Sequence, residues 1–180
     1  MKHQILEKVE IPEGISCQYV DGVLKCTKDS KILERKIAIP GTEVKVEGKE
    51  VILECKKGNK NHFKSIMSAM AHIDNIFTGL QEPFVYKLES CNVHFPMTIK
   101  SEGDKVTINN FLGEKVPRYA KILPGVDVKI QGPQITVSSD SRDAAGQTAA
   151  NLEKATKLRG RDRRIFQDGI YLVEKPRRKM

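Results

Sequence analysis

The 180-residue sequence contains no tryptophan, only 6% aromatic residues and four cysteines. With so few rings, its cores must be built from Val, Ile, Leu, Ala and Met. No stretch approaches the ~18 uninterrupted apolar residues of a membrane-spanning helix. Residues 1–10 alternate Lys, Glu and apolar side chains with no apolar segment, so a secretory leader is not expected. An intracellular, cytoplasmic chain is the resulting expectation. Cys17, Cys26, Cys55 and Cys91 contain no C-x-x-C pair, which argues against a zinc knuckle or a thioredoxin-like site. They are expected to be reduced thiols that pack as small apolar residues. His3, His62, His72 and His94 are scattered, and His62 and His72 stand almost three helical turns apart, too far to share a metal. No metal site is therefore expected. The G-x-S-x-G, Walker, H-E-x-x-H and dinucleotide glycine patterns are also missing, and no nucleophile stands beside a base. An enzyme is not expected.

What the sequence does have is positive charge, unevenly placed. Thirty-one Lys and Arg against 23 Asp and Glu give a net charge of +8. Residues 151–180 hold ten bases and four acids, a local excess of +6 that leaves +2 for the preceding 150 residues. The bases are Lys154, Lys157, Arg159, Arg161, Arg163, Arg164, Lys175, Arg177, Arg178 and Lys179. A basic terminal segment on a nearly balanced body is the footprint of a polyanion-binding protein. Helix-turn-helix spacing, zinc-finger ligands and the RNP aromatic pattern do not occur.

The sequence also repeats itself. Residues 40–53, PGTEVKVEGKEVIL, recur as residues 124–137, PGVDVKIQGPQITV, at an offset of 84. Each copy alternates apolar and polar residues about a glycine-centred turn, the pattern of a β-hairpin with one buried face. A helical pattern follows each hairpin. In the first half it is Phe63, Ile66, Met67, Met70, Ile73 and Phe77, with Asn59 or Asn61 as N-cap and Gly79 as the stop. In the second it is Ala149, Leu152 and Ala155, with Asp143 as N-cap and Gly160 as the stop. Strand-like alternation precedes each hairpin, and Ile170–Glu174 reads as a last strand. The period is too long for a solenoid unit. It predicts an α+β protein of two tandem duplicated domains, 1–82 and 83–180. Each is expected to be a mostly antiparallel β-sheet packed against one α-helix. The basic segment assigns polyanion binding to the second domain and leaves the first with fewer contacts.

Several blocks carry a resemblance to a known family: His94-Phe95-Pro96, Asn110–Lys115, Arg118, Ala145–Asn151 and, most specifically, Arg159–Tyr171. On these the chain resembles the large-subunit ribosomal protein L-six family in its archaeal and eukaryotic branch, and its compact length favours an archaeal source. The duplicated architecture is similar along essentially the whole chain. The Gly-, Lys- and Tyr-rich ending typical of the bacterial branch is absent. One departure is Lys28-Asp-Ser-Lys31, where related proteins often carry a Gly-Pro-Lys-Gly-like loop. The resemblance implies a structural protein of the ribosome, without catalysis or cofactor. It would bind large-subunit rRNA mainly through its second domain, near the stalk base and factor-binding region, beside other large-subunit proteins. The alternative from composition is a non-ribosomal RNA-binding regulator.

For an RNA partner the chemistry is phosphate neutralisation and shape fit, because side chains cannot read the deep A-form major groove. The planar fork of Arg suits paired phosphate oxygens. Residues 159–164 place four Arg within six positions, with Gly160 to turn the backbone and Asp162 to orient a neighbour. Phe166 and Tyr171 are open to base stacking or to burial, with burial favoured for Phe166. Gln147, Thr148 and Asn151 are open to phosphate or ribose contact or to capping. Lys115 and Arg118 complete the predicted rRNA-binding set, and Pro176 keeps the tail extended.

Overall fold

The structure, a computed structural model, describes residues 3–177. Alternating polarity builds six strands in the first half: β1 (His3–Glu10), β2 (Ser16–Val20), β3 (Val23–Lys28), β4 (Lys31–Lys36), β5 (Glu43–Glu47) and β6 (Glu50–Gly58). They form two antiparallel three-stranded sheets, ordered β1-β6-β5 and β2-β3-β4. Helix α1 (Lys60–Gln81) packs against both sheets. Leu24, Cys26, Val51, Leu53, Ile66 and Ile73 are the fully buried centre of this core. Burying each such aliphatic side chain stabilises the fold by about 1.5–3 kcal/mol before entropy is counted.

The second half repeats the scheme with an addition. Its elements are β7 (Phe84–Cys91), β8 (Thr98–Glu102), β9 (Lys105–Asn109), a 3-10 turn at Phe111–Gly113, β10 (Arg118–Lys121), β11 (Asp127–Gln131), β12 (Gln134–Ser139), α2 (Arg142–Ala155) and β13 (Gly169–Glu174). One sheet is β10-β9-β8, and the other has four strands, β11-β12-β7-β13. Strand β13 therefore pairs with β7 on the edge that its counterpart β1 leaves without a strand among the described residues. By contact density the chain divides into two units, Met1–Glu82 and Pro83–Met180.

The repeated hairpins superimpose in sequence position: β5 and β6 begin at 43 and 50, β11 and β12 at 127 and 134. The repeated glycines have a physical reason. Gly41 and Gly125 sit at φ +72° and +73°, and Gly48 and Gly132 at +57° and +60°. These left-handed conformations strain any residue with a Cβ. A positive φ at only the first central residue, Gly48 or Gly132, is the type II′ pattern that matches strand twist.

Three expectations about local structure change. Each domain has two sheets rather than one, because the strand-like stretch ahead of each hairpin turns back on itself to make a three-stranded sheet. Gly79 lies buried inside α1 and does not stop it; the helix ends at Gln81, capped by Glu82, where Pro83 disfavours a helical predecessor. The cap of α2 is Ser141, whose hydroxyl accepts from the Ala144 N–H, so Asp143 instead adds negative charge to the first turn. The N-cap of α1 is Asn59, whose side chain accepts from the N–H groups of Asn61 and His62. On that helix Phe63 and Met67, expected in the apolar stripe, are 46% and 43% exposed. Ala69, Ile76 and Leu80 face the core in their place.

The two helices differ in bulk for a reason of distance. Ala145, Thr148, Ala149 and Leu152 are the buried face of α2, and a Cβ on Gly146 would stand 3.0 Å from the Tyr86 hydroxyl. Small residues let α2 lie close to β7. Within Ala145–Asn151 the packing face is Ala145, Thr148 and Ala149, whereas Gln147 is exposed.

Candidate nucleic-acid interface

Helix α2 ends at Ala155, well before Gly160, so Lys157, Arg159, Arg161, Arg163 and Arg164 are not helical. They lie on an irregular loop that runs from Thr156 to Asp168. The loop has internal order. The backbone N–H of Arg164 donates to Asp162 Oδ1 at 2.9 Å, and Phe166 N–H donates to the Asp162 carbonyl at 2.9 Å. Asp162 therefore orients Arg164 as expected, with a further contact of 3.3 Å between their charged groups. The Arg161 guanidinium lies 4.8 Å from the centre of the Phe166 ring, and that half-buried ring packs 5.0 Å from His94. Gly160 at φ +68° turns the chain within the loop.

The loop is anchored by a residue that composition could not single out. Asp168 is fully buried and accepts three hydrogen bonds: Oδ1 from the N–H groups of Val93 and His94, each 2.9 Å, and Oδ2 from His94 Nδ1 at 2.6 Å. Burial alone would raise its pKa. The bonds from His94 and Val93 outweigh that and hold it down at about 2. An ionised carboxylate only accepts, so the shared proton resides on His94 Nδ1. Because Cys91 and Gly169 are partners in the β7–β13 ladder, Asp168 ties the exit of β7 to the entrance of β13. The Asp168-Gly169 step is a buried staple between the two strands.

A third loop joins these two. The Asn110 side-chain amide donates to the Pro96 carbonyl at 3.0 Å, and the Phe95 ring lies 3.5 Å from where a Cβ on Gly113 would stand. Arg118 fixes that loop to the helix. It forks onto both oxygens of Glu114 at 2.6 and 2.7 Å, donates to the Ala155 carbonyl at 2.9 Å, and stacks 4.2 Å from the centre of the Phe111 ring. The Arg118 hydrogen bond lowers the Glu114 pKa, and the charge of nearby Arg161 adds to the effect. Loops 92–97, 110–117 and 156–168 thus meet at one end of the second unit.

Several predicted contact residues have other work. Arg118 is a cap on the carbonyl end of α2, where a cation also complements the helix dipole. Asn151 donates to the Lys121 carbonyl at 2.9 Å and accepts from Gln147, so both amides are engaged within the fold. Thr148 is buried and accepts from the Leu123 N–H. One acid of the basic segment, Glu153, accepts from the outward N–H of Leu172, and the Thr156 hydroxyl accepts from that of Ile170. They blunt the free edge of β13.

The bases fall into two groups. Lys154, Lys157, Arg159, Arg161, Arg163 and Arg164 are exposed around the end of α2, and exposed Lys115 belongs to the neighbouring loop. Lys175 and Arg177 follow β13 at its far end, where Arg142 at the start of α2 donates to the Pro176 carbonyl at 3.4 Å. Six residues of strand separate the groups by roughly 20 Å. Arg178 and Lys179 lie outside the described residues. Among the described residues, no group of three or more His, Cys, Asp or Glu is placed to hold a metal ion, and no helix is long and apolar enough to cross a membrane.

If Arg118 is a clamp, Arg118→Ala should lower unfolding stability by about 2 kcal/mol. The check is the denaturant midpoint. Arg118→Lys should not restore it, since an ammonium cannot reach Glu114 and Ala155 together. A fully stable Arg118→Ala protein would rule the clamp out.

Comparison with known proteins gives a consistent answer. The profile of the family described as Ribosomal protein L6 matches residues 95–169, which include the second and third loops and the last three residues of the first. The large ribosomal subunit protein uL6 of Methanococcus vannielii is 44% identical over 171 residues, covering 95% of this chain and 94% of that protein. The uL6 of Methanosarcina mazei is 39% identical over 175 residues, covering 97% and 99% respectively.

Proposed function

The chain belongs to the large-subunit ribosomal protein L6 family, a family of structural proteins and not of enzymes, and from that premise we propose that it binds large-subunit rRNA through the three-loop end of its second unit. In this reading it stabilises rRNA near the stalk base and the factor-binding region and stands beside other large-subunit proteins there. The first unit makes fewer RNA contacts.

One observation carries the reading. Four Arg project from a loop whose backbone is held at both ends, by Arg118 at the close of α2 and by the buried Asp168 carboxylate. Arg side chains fixed on a rigid base lose less freedom on meeting phosphate than the same residues on a free tail. Lys154, Lys157 and Lys115 widen the same cationic end, and Lys175 and Arg177 offer a second contact along β13.

The test is the salt dependence of binding between purified protein and large-subunit rRNA. With ~6 to 10 phosphate contacts, affinity should fall by about 10³ to 10⁵ between 50 and 200 mM salt. A nearly flat response would contradict the reading.

A further inference from the structure

The three-loop end holds an aromatic ring that the charge argument does not use. Phe95 is 46% exposed, although a phenyl ring normally finds cover in a core. Val93, Val116 and Ile165 on the same three loops are exposed as well; of the four only Phe95 offers a π-face, and it is set in a rigid mount. The backbone immediately before it is fixed by Asp168, which accepts from Val93 and His94. The backbone immediately after it is fixed by Asn110, which donates to the Pro96 carbonyl. One side of the ring is backed by Gly113, where a Cβ would stand 3.5 Å from it, in ordinary van der Waals contact, and where φ of +78° favours glycine. Exposed Lys115 lies on the loop that backs the ring, and Arg161 reaches the same loop closely enough to act on Glu114.

We propose that Phe95 is a stacking platform for one unpaired base of the bound RNA, with the surrounding cations holding that nucleotide's phosphates. The inference rests on the rRNA-binding reading above. A pre-positioned ring at a loop end that also carries cations fits a base and its flanking phosphates, because every base has a π-face and every nucleotide a charge. An apolar protein neighbour would be served by the ring but not by the cations around it. The Phe166 ring is occupied by His94 and Arg161 and lies partly buried.

Full-length protein carrying Phe95→Leu or Phe95→Trp is titrated against purified large-subunit rRNA at several salt concentrations. Leucine keeps the apolar contact with Gly113 and removes the π-face. Phe95→Leu should bind about 5- to 150-fold more weakly, the range one base-on-ring stack supplies. The slope of log affinity against log salt should stay unchanged, since no phosphate contact is lost. Phe95→Trp should bind as well as the parent, and both variants should keep its denaturation midpoint. Irradiation at short wavelength should attach a nucleotide at position 95 of the unaltered protein. Parental affinity for Phe95→Leu, without a crosslink at Phe95, would overturn the proposal and leave the ring as a contact for a neighbouring protein. A lost midpoint for Phe95→Leu with no crosslink would overturn it too, making the ring structural. If the unaltered protein shows no salt-dependent rRNA binding, the broader reading fails and this one with it.

Discussion

Asp168→Ala should lose about 3 kcal/mol or more of stability in the second unit. The carboxylate is completely buried and gathers two backbone N–H groups and the His94 ring. Removing one partner of a buried hydrogen bond leaves the others with their full desolvation cost, about 1–3 kcal/mol per group. Here three donors lose their acceptor at once, although the half-exposed His94 side chain can recover water. The measurable signs are a lower denaturant midpoint and fast amide exchange at Val93 and His94. Native midpoint and protection in the variant would remove Asp168 from its assigned role. A pH dependence accompanies this. The folded pKa of Asp168 lies at about 2, below the ordinary aspartate value of 3.8. The ionised state is therefore the stabilised one. Its contribution is full above about pH 4 and is lost as pH falls toward 2. After allowance for solvent screening at His94, it amounts to about 1–2 kcal/mol. Unfolding followed from pH 5 to 2 should show this loss in the parent and a shallower one in Asp168→Asn.

What could be seen beforehand was set by period and identity. The duplicated hairpins were legible because the turns demand glycine at left-handed positions, and that demand survives in both copies as Gly41/Gly125 and Gly48/Gly132. The helix after each hairpin was legible from spacing, and α+β with antiparallel strands followed. Other features depend on contacts between residues far apart in sequence. Asp168 and Val93 are 75 positions apart, and Arg118 and Ala155 are 37 apart. Nothing local distinguishes a buried aspartate or a capping arginine from an exposed one. Sequence alone therefore could not show that the charge of Arg118 also serves the fold, and charge counting was silent about the acid that holds the loop. It also merged two basic groups that β13 keeps apart. The amides of Gln147 and Asn151 could not be placed by sequence either, since their use depends on how close α2 comes to β10.

Replacing Arg159, Arg161, Arg163 and Arg164 together by alanine should weaken rRNA binding by about 10³ at 100 mM salt. Each phosphate contact contributes about 0.9 to the power with which affinity depends on salt, close to one decade at that concentration. Four contacts would flatten the slope by about 3 to 4. The fold should tolerate the change. Arg164 is 91% exposed at its side chain and its ion pair with Asp162 is a surface pair, so it adds little to stability. Arg161 gives up its place on the Phe166 ring, an exposed cation–π contact worth about 0.5–1 kcal/mol. The anchors, Asp168 and Arg118, remain. A matched control separates the two basic groups: Lys175→Ala with Arg177→Ala should flatten the slope by no more than about 2. The decisive contrast is with stacking, because the arginine variant changes the slope whereas loss of a ring changes affinity at constant slope. If the arginine variant instead binds rRNA with the parental slope, those side chains are solvated charge. The work of meeting the phosphate backbone would then fall to the lysines around the end of α2 and to the strand-end pair.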